Sequence, residues 1–534
     1  MMASNVSRDV SQDQSSVVQT CKPWYAFATV AAGRFVRFAS RVTKHGGSAL
    51  PGKVVEKIDP GFLTRTLGQL PLGVVLVSGT NGKTTTTRMV ASMLSDLGLK
   101  VFTNPTGSNF VRGVVSALLT EVTLGGKLDA DIAVLELDEA YAVHFVKQVK
   151  PRYALLLNVM RDQLDRFGEI DTTAKLLSHV AAATTGTVVL NREDPRIAAL
   201  AAKAPAGTTV RYFGLADDLR RYFPSDDDMA TTVSVEGVAG PLPSARTPLS
   251  PRSELRGASA GTAELPADVT LTAVGDHKAT FQMDGQGYAT DVKLEGVYNL
   301  YNAAAALAVV RAVAADAQAM FLPFEDALAD SVDADGADTG IETDGNGSHD
   351  AIDRAAADEI LRAAGVSPRM IAFAHATTQA MIDTAGEVTP AFGRGEVITV
   401  NGTPVELLLV KNPMGFRLSL ASFKPEGCDT MICINDEYAD GRDMSWLWDV
   451  DFTSLRGTGV KVVSGVRAWD MALRLEYDQV PVESVSTDLE ESVVNFVNAN
   501  SGTPKHIYCT YTAMLKTRAA LAKIADVADA GVGK

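Results

Sequence analysis

The sequence predicts an α/β protein in which a large central domain, built on a parallel, doubly wound sheet, precedes a smaller C-terminal α/β domain. Three observations support this class. An apolar, β-branched run at Gly73–Ser78 breaks at a glycine-rich loop and gives way to apolar residues at helical spacing. Further short apolar runs follow at helical intervals, which is typical of parallel strands joined by crossover helices. A second series of such runs begins after an acidic, glycine-containing stretch.

The size and composition of the chain indicate a soluble protein of two or three domains, with 534 residues and 46% hydrophobic content. Its net charge of -15 gives no electrostatic basis for binding nucleic acid. The stretch Trp24–Ala39 contains Arg34 and Arg37 and falls short of a membrane span, and the polar first residues lack the pattern of a secretory signal. The four cysteines form no Cys-x-x-Cys pair. We therefore expect a cytoplasmic protein.

Composition also predicts how the chain is divided. Residues 1–44 are predicted to form a partly disordered N-terminal extension, and residues 45–325 the central domain. Within the central domain, 225–266 is rich in Pro, Ser, Ala and Gly and is predicted to be an insert. Residues 326–384 are predicted to form an acidic insert and linker, and 385–534 the C-terminal domain.

The strands of the central domain are predicted to be parallel at first and antiparallel later. They are expected at Gly73–Ser78, Ile132–Leu135, Tyr153–Val159 and Thr187–Leu190, and then at Val269–Val274, Ala279–Met283 and Tyr288–Leu294. A helix rich in alanine is predicted at Asn299–Ala317. The C-terminal strands are expected at Val397–Val400, Val405–Leu409, Thr430–Asn435 and Val460–Ser464.

The strongest chemical signal is the loop between the first strand and its helix. Its glycines let backbone amides face phosphate oxygens, and the following helix N-terminus favours negative charge. Lys83 supplies a point charge, and Thr84 a hydroxyl that can bind Mg²⁺. The strict Walker spacing requires glycine where Val77 stands, so this is a variant phosphate loop for ATP. The predicted nucleotide contacts are Gly79, Thr80, Asn81, Gly82, Lys83, Thr84 and Thr85.

The loop sequence GTNGKTTT resembles that of the Mur ligases and the folylpolyglutamate synthases. The resemblance implies a central ATPase domain of the Mur ligase type, in which ATP converts a carboxylate to an acyl phosphate that an amine then attacks. It also implies a magnesium site at the acidic motif Glu136–Ala140, which follows a predicted strand. Glu136 and Thr84 are the expected ligands, with Glu139 second to Glu136. A solvated acidic turn is the alternative.

A second family motif occupies Asn158–Asp165 and matches Asn-x-x-x-Asp-His-x-Asp, except that Gln163 replaces the histidine. The resemblance implies that Asp162 and Asp165 support the metal or the acceptor carboxylate, although either could instead cap a helix.

A third motif, Gly296–Ala304, resembles the family pattern Gly-x-His-Asn-x-x-Asn-Ala, with Tyr298 in place of the histidine. It implies that Asn299 and Asn302 contact the nucleotide. Asn299 could equally be an ordinary helix N-cap.

The C-terminal part departs from ordinary Mur ligases. Gly393–Glu396 and Lys411–Gly415 stand where those enzymes carry an Arg-bearing segment and Asp-x-x-His-Asn-Pro, but the usual Asp and His are missing. Lys-Asn-Pro-x-Gly and the later segment Ala439–Asp449 instead closely resemble the MurT family. With the remaining motifs, the resemblance covers roughly residues 45–520.

The MurT resemblance implies a glutaminase partner, GatD, that supplies ammonia for amidating the α-carboxylate of D-glutamate in lipid II to D-isoglutamine. Glutamine hydrolysis requires a cysteine nucleophile activated by a histidine. The chain offers no credible version of this pair, because Cys433 and Cys509 lie in apolar runs and His506 has no evident partner. The ammonia must therefore come from a second subunit.

The family also implies that a C-terminal aspartate completes the catalytic triad of GatD. Asp443 is the expected residue, followed by Asp440 and Asp436, and an acidic surface loop is the alternative. Many MurT relatives carry a zinc ribbon of two Cys-x-x-Cys pairs. This chain has none, so we expect ATP and Mg²⁺ but no zinc.

Two other functions remain open on sequence alone. The first is a complete amino-acid ligase of the Mur or folylpolyglutamate type, against which the Lys411–Pro413 variant argues. The second is a non-catalytic, ATP-binding scaffold. A complete ligase would work without a glutaminase, and a scaffold would not need Lys83.

Overall fold

The computed structural model describes residues 26–42, 49–104, 109–160, 170–222, 265–275, 278–293, 297–335, 358–359, 361–363, 365–388, 394–437 and 440–527. The predicted insert 225–266 lies almost wholly outside these residues. Of the predicted acidic insert and linker at 326–384, residues 336–357 also lie outside them.

The central domain contains a nine-stranded sheet in the order β2-β3-β1-β4-β5-β6-β7-β8-β9. Strands β1 to β6 pair with one another in parallel, and β8 and β9 pair antiparallel. Strand β7, which was predicted to be antiparallel, is parallel to β6 and antiparallel to β8, so the predicted change of direction falls after β7. The strands are β1 (Val74–Ser78), β2 (Val101–Thr103), β3 (Ile132–Glu136), β4 (Tyr153–Leu156), β5 (Thr187–Asn191), β6 (Thr209–Leu215), β7 (Val269–Gly275), β8 (Lys278–Met283) and β9 (Gln286–Asp291).

Helices cover both faces of this sheet, which explains why its parallel strands are apolar throughout rather than alternating. Val75 and Val77 face one core cluster, whereas Val74 and Leu76 face the other. The helices are α1 (Ala26–Val42), α2 (Ala49–Ile58), α3 (Phe62–Leu67), α4 (Lys83–Asp96), α5 (Val111–Glu121), α6 (Glu139–Val146), α7 (Ile170–Ala183), α8 (Pro195–Ala198) and α9 (Val297–Asp335), with 3₁₀ turns at Ala199–Lys203 and Asp217–Tyr222.

The C-terminal domain contains a six-stranded sheet in the order β10-β11-β15-β12-β13-β14, in which only β10 is antiparallel to its neighbour. The strands are β10 (Arg394–Val400), β11 (Thr403–Leu409), β12 (Asp429–Cys433), β13 (Val460–Ser464), β14 (Val482–Ser486) and β15 (Lys505–Cys509). Helices α10 (Pro368–Ala374) and α11 (Thr378–Glu387) precede this sheet in the chain. The helices of the C-terminal domain itself are α12 (Pro413–Ser422), α13 (Ala468–Tyr477), α14 (Leu489–Asn498) and α15 (Tyr511–Leu521), with 3₁₀ turns at Ser445–Asp449 and Thr453–Leu455.

Helix α9 is longer than the predicted Asn299–Ala317 and continues to Asp335, into the predicted acidic insert. Its segment Tyr298–Met320 is apolar enough to cross a membrane by length and composition, but 67% of that window is buried inside the protein. The helix packs against β5, β6 and β7. It is therefore a core helix of the central domain.

Two predicted boundary segments belong structurally to the central domain. Helix α1 lies within the predicted N-terminal extension, and its Val30 is part of the core while Arg34 donates to the carbonyls of Leu119 and Val122. Helices α10 and α11 lie within the predicted linker, and they contribute Phe373 and Ile382 to the same core as α9. Apolar burial, which composition does not reveal, decides both assignments.

Candidate active site

The site lies where the carboxyl ends of β1, β3 and β4 meet. Val77 of β1 pairs with Glu136 of β3, and Ser78 pairs with Leu156 of β4, so the loops after these strands start side by side. In an open parallel sheet this edge is where ligands bind. The phosphate loop, the acidic motif and the Asn158 motif are therefore brought together as the sequence predicted.

Two glycines shape the phosphate loop. Gly79 has a φ of +134°, and a Cβ there would lie 3.0 Å from the backbone nitrogen and oxygen of Asn158. Gly82 has a φ of +84° and caps α4, and a Cβ there would lie 2.6 Å from Oδ1 of Asn302. Any side chain at these positions would push the loop away from its support. The loop is therefore held in one shape at the N-terminus of a fourteen-residue helix, a geometry suited to an anion.

Asn158 organises this loop. Its carbonyl accepts from the amide of Thr80 at 2.9 Å, and its Oδ1 accepts from the amide of Asn81 at 2.8 Å. Its side-chain amide donates to the carbonyl of Asn81 and to the hydroxyl of Tyr298, both at 3.1 Å. Asp162 and Asp165, which were predicted to support the metal or the acceptor carboxylate, lie outside the described residues. The organising role of its first asparagine was missed.

Lys83 is buried and surrounded by oxygen atoms. Its Nζ donates to the carbonyl of Thr80 at 3.3 Å and lies 3.3 Å from Oδ1 of Asp138 and 3.7 Å from Oε2 of Glu139. These carboxylates hold the ammonium group against the loop. Glu139, the second predicted metal ligand, thus has a role as an ion-pair partner of Lys83.

Thr84 and Glu136 form the predicted metal-binding pair. The hydroxyl of Thr84 donates to Oε1 of Glu136 at 3.0 Å. Glu136 is itself fixed by Asn104, which accepts from its amide at 2.9 Å and donates to its carbonyl at 3.0 Å. Thr85 is buried in the first turn of α4.

This pair fits Mg²⁺, because that ion takes few protein oxygens and completes its shell with water and phosphate. The fit depends on the Thr84 hydroxyl and the Glu136 carboxylate lying within hydrogen-bonding distance of each other beside the phosphate loop. Over the described residues, no group of three or more His, Cys, Asp or Glu side chains could hold a metal by itself. The metal would therefore depend on phosphate oxygens supplied by a bound nucleotide.

The start of α9 brings the third motif to the site. Asn302 is buried against Gly82, and the hydroxyl of Tyr298, which replaces the family histidine, accepts from Asn158. Asn299 is half-buried in the same turn. One turn further, the hydroxyl of Tyr301 donates to Oδ1 of Asn191, and burial raises its pKa well above the usual value. Asn299 and Asn302 as nucleotide contacts remain predictions.

The C-terminal domain reaches the phosphate loop through Asn412. This side chain is fully buried, and its Nδ2 donates to Oδ1 of Asn81 at 2.9 Å. Its Oδ1 accepts from the amide of Gly415 at 2.7 Å and caps α12. The Lys-Asn-Pro segment did not predict this contact, since no local pattern identifies a partner 331 residues away.

The three candidate aspartates of the C-terminal domain differ in exposure. Asp440 is buried and accepts from the amide and hydroxyl of Thr512, and burial raises its pKa despite these bonds. Asp436 is half-buried near Arg467. Asp443 is exposed, and hydrogen bonds from Ser445 lower its pKa. Among the three, Asp443 is the most exposed, and its lowered pKa favours the carboxylate form.

Asp194, which was not predicted from the sequence, holds the segment that follows β4, next to Asn158. Its side chain caps α8 and accepts from the amide of Val159 at 2.7 Å. Burial raises its pKa, and three backbone hydrogen bonds oppose that effect. The Asp-Pro dipeptide before Arg196 is the N-cap signal that could have identified it.

Comparisons with known protein families agree with this architecture. A model of the Mur ligase middle domain matches residues 77–238, and a model of the MurT ligase C-terminal domain matches residues 409–514. The chain is 28% identical over 506 residues to the MurT subunit of lipid II isoglutaminyl synthase (glutamine-hydrolyzing) from Streptococcus pneumoniae, covering 92% of this chain and 96% of the relative. It is 26% identical over 460 residues to the MurT subunit from Staphylococcus aureus (strain COL), covering 85% and 89%.

Solved structures show the same fold. MurF from Acinetobacter baumannii matches with a TM-score of 0.55 at 16% identity, covering 89% of this chain and 80% of that one. MurF from Thermotoga maritima, solved in complex with ADP, matches with a TM-score of 0.52 at 15% identity, covering 88% and 83%. The fold is therefore that of the Mur ligases, with two sheet domains, as the sequence predicted.

Proposed function

We propose that this chain, which joins a Mur ligase middle domain to a MurT ligase C-terminal domain, is the synthase subunit of a lipid II isoglutaminyl synthase. The reaction is the ATP-dependent amidation of the D-glutamate α-carboxylate of lipid II to D-isoglutamine, using ammonia from a GatD-like glutaminase. The relatives named as MurT subunits, which match nearly end to end, support this substrate and this donor.

The observation that carries the proposal is the arrangement around the phosphate loop. Lys83 is buried beside Asp138, and the Thr84 hydroxyl meets Glu136, at the sheet edge where the loops of three strands converge. When bound, ATP and Mg²⁺ supply a phosphoryl group that turns a poor electrophile, the carboxylate, into an acyl phosphate. Lys83 would neutralise phosphate charge, and Thr84 and Glu136 would hold the metal. The loop amides fix the phosphates in position.

The three cysteines within the described residues support an outside source of ammonia. Cys433 is buried, and burial raises the pKa of its thiol well above the usual value. Burial also raises the pKa of the Cys428 thiol, and Cys509 is fully buried beside Thr517. A glutaminase nucleophile needs a lowered thiol pKa. These three residues are free thiols, which fits a cytoplasmic protein acting on lipid II at the inner membrane leaflet.

Replacing Lys83 tests the proposal. In the complex with its glutaminase, Lys83→Ala should lower glutamine-dependent amidation of lipid II by about 100-fold or more, because one charged group at a transferring phosphoryl is lost. Lys100→Ala, which removes an exposed lysine paired with Asp129, is the matched control and should keep the wild-type rate. An unchanged rate for Lys83→Ala would instead indicate a scaffold.

Replacing Asp443 tests the partner role. Asp443→Asn should lower glutamine-dependent amidation by about 100-fold and leave amidation with ammonium chloride unchanged, because only the partner's triad loses a member. Asp436→Asn is the control. If the isolated chain instead joins an amino acid to the substrate at a similar rate without any glutaminase, the chain is a complete ligase.

A further inference from the structure

A group of exposed apolar side chains lies beside the loop that carries Asp443. We define the aromatic face as Trp448, Val466, Trp469, Leu473 and Tyr477. Their exposed fractions are 47%, 56%, 67%, 48% and 69%. The last three are four residues apart on α13 and so form one stripe on that helix. The ring centroids of Trp448 and Tyr477 lie 5.0 Å apart, so Trp448 extends the stripe sideways.

The exposure of this stripe does not come from a poorly packed helix. Ala468, Met471 and Leu475 on the opposite side of α13 are fully buried in the core of the C-terminal domain. The helix thus already has an apolar face that packs inward, and the aromatic face is a second apolar surface turned to solvent.

Hydrogen bonds connect helix α13, which carries most of the aromatic face, to the turn that follows Asp443. Arg474 of α13 donates to the carbonyls of Leu447 at 3.2 Å and Val450 at 2.6 Å, and its guanidinium lies 5.4 Å from the ring of Trp448. Asp443 in turn accepts from the amide of Ser445, the first residue of the 3₁₀ turn that contains Trp448. A protein that covers Asp443 therefore also meets the aromatic face.

The size of this surface suits a subunit interface. Side chains of this kind bury about 150–250 Å² each, so the exposed fractions correspond to about 500 Å² of apolar area. A standard interface buries about 800 Å² per partner, with tryptophan and tyrosine enriched at its centre. An apolar patch of this size is as large as the largest patch on a typical monomeric protein, about 300–600 Å², which is often a functional surface.

We infer that the aromatic face is the docking surface of the glutamine-hydrolysing subunit, an inference that rests on the proposed function. The partner must bring a histidine to Asp443, and the aromatic face supplies the apolar contact area next to it. A membrane is a less suitable occupant. Asp449, Glu476 and the ion pair of Arg467 with Asp470 lie around the face and give it a net negative charge, which an anionic lipid surface would repel.

The test is the double variant Trp469→Ser/Tyr477→Ser, assayed with the GatD-type subunit from the same source. Its affinity for that subunit, measured by titration calorimetry, should fall by at least about 30-fold, since central aromatic residues dominate such interfaces. Glutamine-dependent amidation at low protein concentration should fall with it, while amidation with ammonium chloride stays within about twofold. Leu124→Ser, at an apolar position of the central domain that is 62% exposed, is the control and should bind normally. Trp469→Ser alone serves if the double variant does not fold.

Unchanged affinity of the double variant for the partner would overturn the inference. The inference would also be overturned if the double variant keeps its affinity for the partner and instead loses binding to phosphatidylglycerol vesicles. The same holds if it keeps that affinity and instead loses self-association. If the wild-type complex makes no amide from lipid II while the affinity still drops in the variant, the proposed function fails but the docking surface stands.

Discussion

At the scale of single residues, Asn412 connects the two domains because one amide side chain does two things. Its oxygen caps α12, and its nitrogen donates to Asn81 of the phosphate loop. Both atoms are buried, so each bond excludes water and leaving either partner unpaired costs free energy. This geometry couples the position of the C-terminal domain to the shape of the loop.

Two substitutions separate these effects. Asn412→Ser should keep the cap, since serine is a good N-cap, but its side chain is too short to reach Asn81. We expect a loss of about 1–3 kcal/mol in the free energy of unfolding, because the buried amide oxygen of Asn81 is left unpaired, and a KM for ATP raised about tenfold. Asn412→Ala should show the same KM and lose about 1 kcal/mol more in the free energy of unfolding. Steady-state kinetics gives the KM for ATP of both variants, and urea unfolding gives their free energies of unfolding. A normal KM for Asn412→Ser would contradict the coupling between the C-terminal domain and the phosphate loop.

At the scale of elements, the phosphate loop depends on Gly82, which is required both by its backbone conformation and by a close neighbouring side chain. Gly82 needs a positive φ of +84°, and its missing side chain leaves room for Asn302. Gly98 has a similar φ of +97°, but a Cβ there would meet no atom within 4 Å. The two positions therefore separate backbone strain from steric contact.

Alanine at either glycine should cost about 1–2 kcal/mol of stability, because both must adopt a left-handed backbone. Only Gly82→Ala should also weaken binding of a non-hydrolysable ATP analogue, by about tenfold or more, since the loop must shift away from Asn302. Calorimetric titration of the two variants measures this difference. Equal affinities would mean that Asn302 does not constrain the loop.

The elements that the sequence predicted are those with a strong local signal. β1 with its loop and helix, and β13 at Val460–Ser464, match closely because apolar runs end at glycine. β4 ends at Leu156 rather than at Val159, since Asn158 and Val159 turn away to bond with Thr80 and Asp194. β2, β6 and β14 were not predicted, because β2 has three residues and the other two have partly exposed patterns with polar residues. β15 was indicated only as the apolar run around Cys509.

The site divides in the same way. The phosphate loop and Glu136 could be found because their chemistry is local and because Mur ligases share the pattern. The contacts that hold them in place could not be found from the sequence. Asn104 bonds with Glu136, which is 32 residues away in the chain, and Asn412 bonds with Asn81, which is 331 residues away. Such pairs depend on tertiary packing, which a single sequence does not specify.

At the scale of the whole molecule, the proposed function places two tasks on two different domains of the chain. The central sheet edge holds the groups that suit phosphoryl transfer, and Asp443 and the aromatic face lie on the C-terminal domain. Asn412 joins the domains at the loop itself. In this account the ligase chemistry belongs to this chain and glutamine hydrolysis to its partner, so the two activities should fail independently in the Lys83 and Asp443 variants.

The central claim is that this chain activates a carboxylate by phosphorylating it, and an oxygen isotope follows that step directly. Lipid II labelled with ¹⁸O in the D-glutamate α-carboxylate is amidated by the complex with ATP and glutamine, and the released phosphate is analysed by mass spectrometry. An acyl phosphate requires one ¹⁸O atom from the carboxylate to appear in the phosphate at each turnover, and Lys83→Ala should abolish the transfer. Amide formation at the normal rate with unlabelled phosphate would contradict the account.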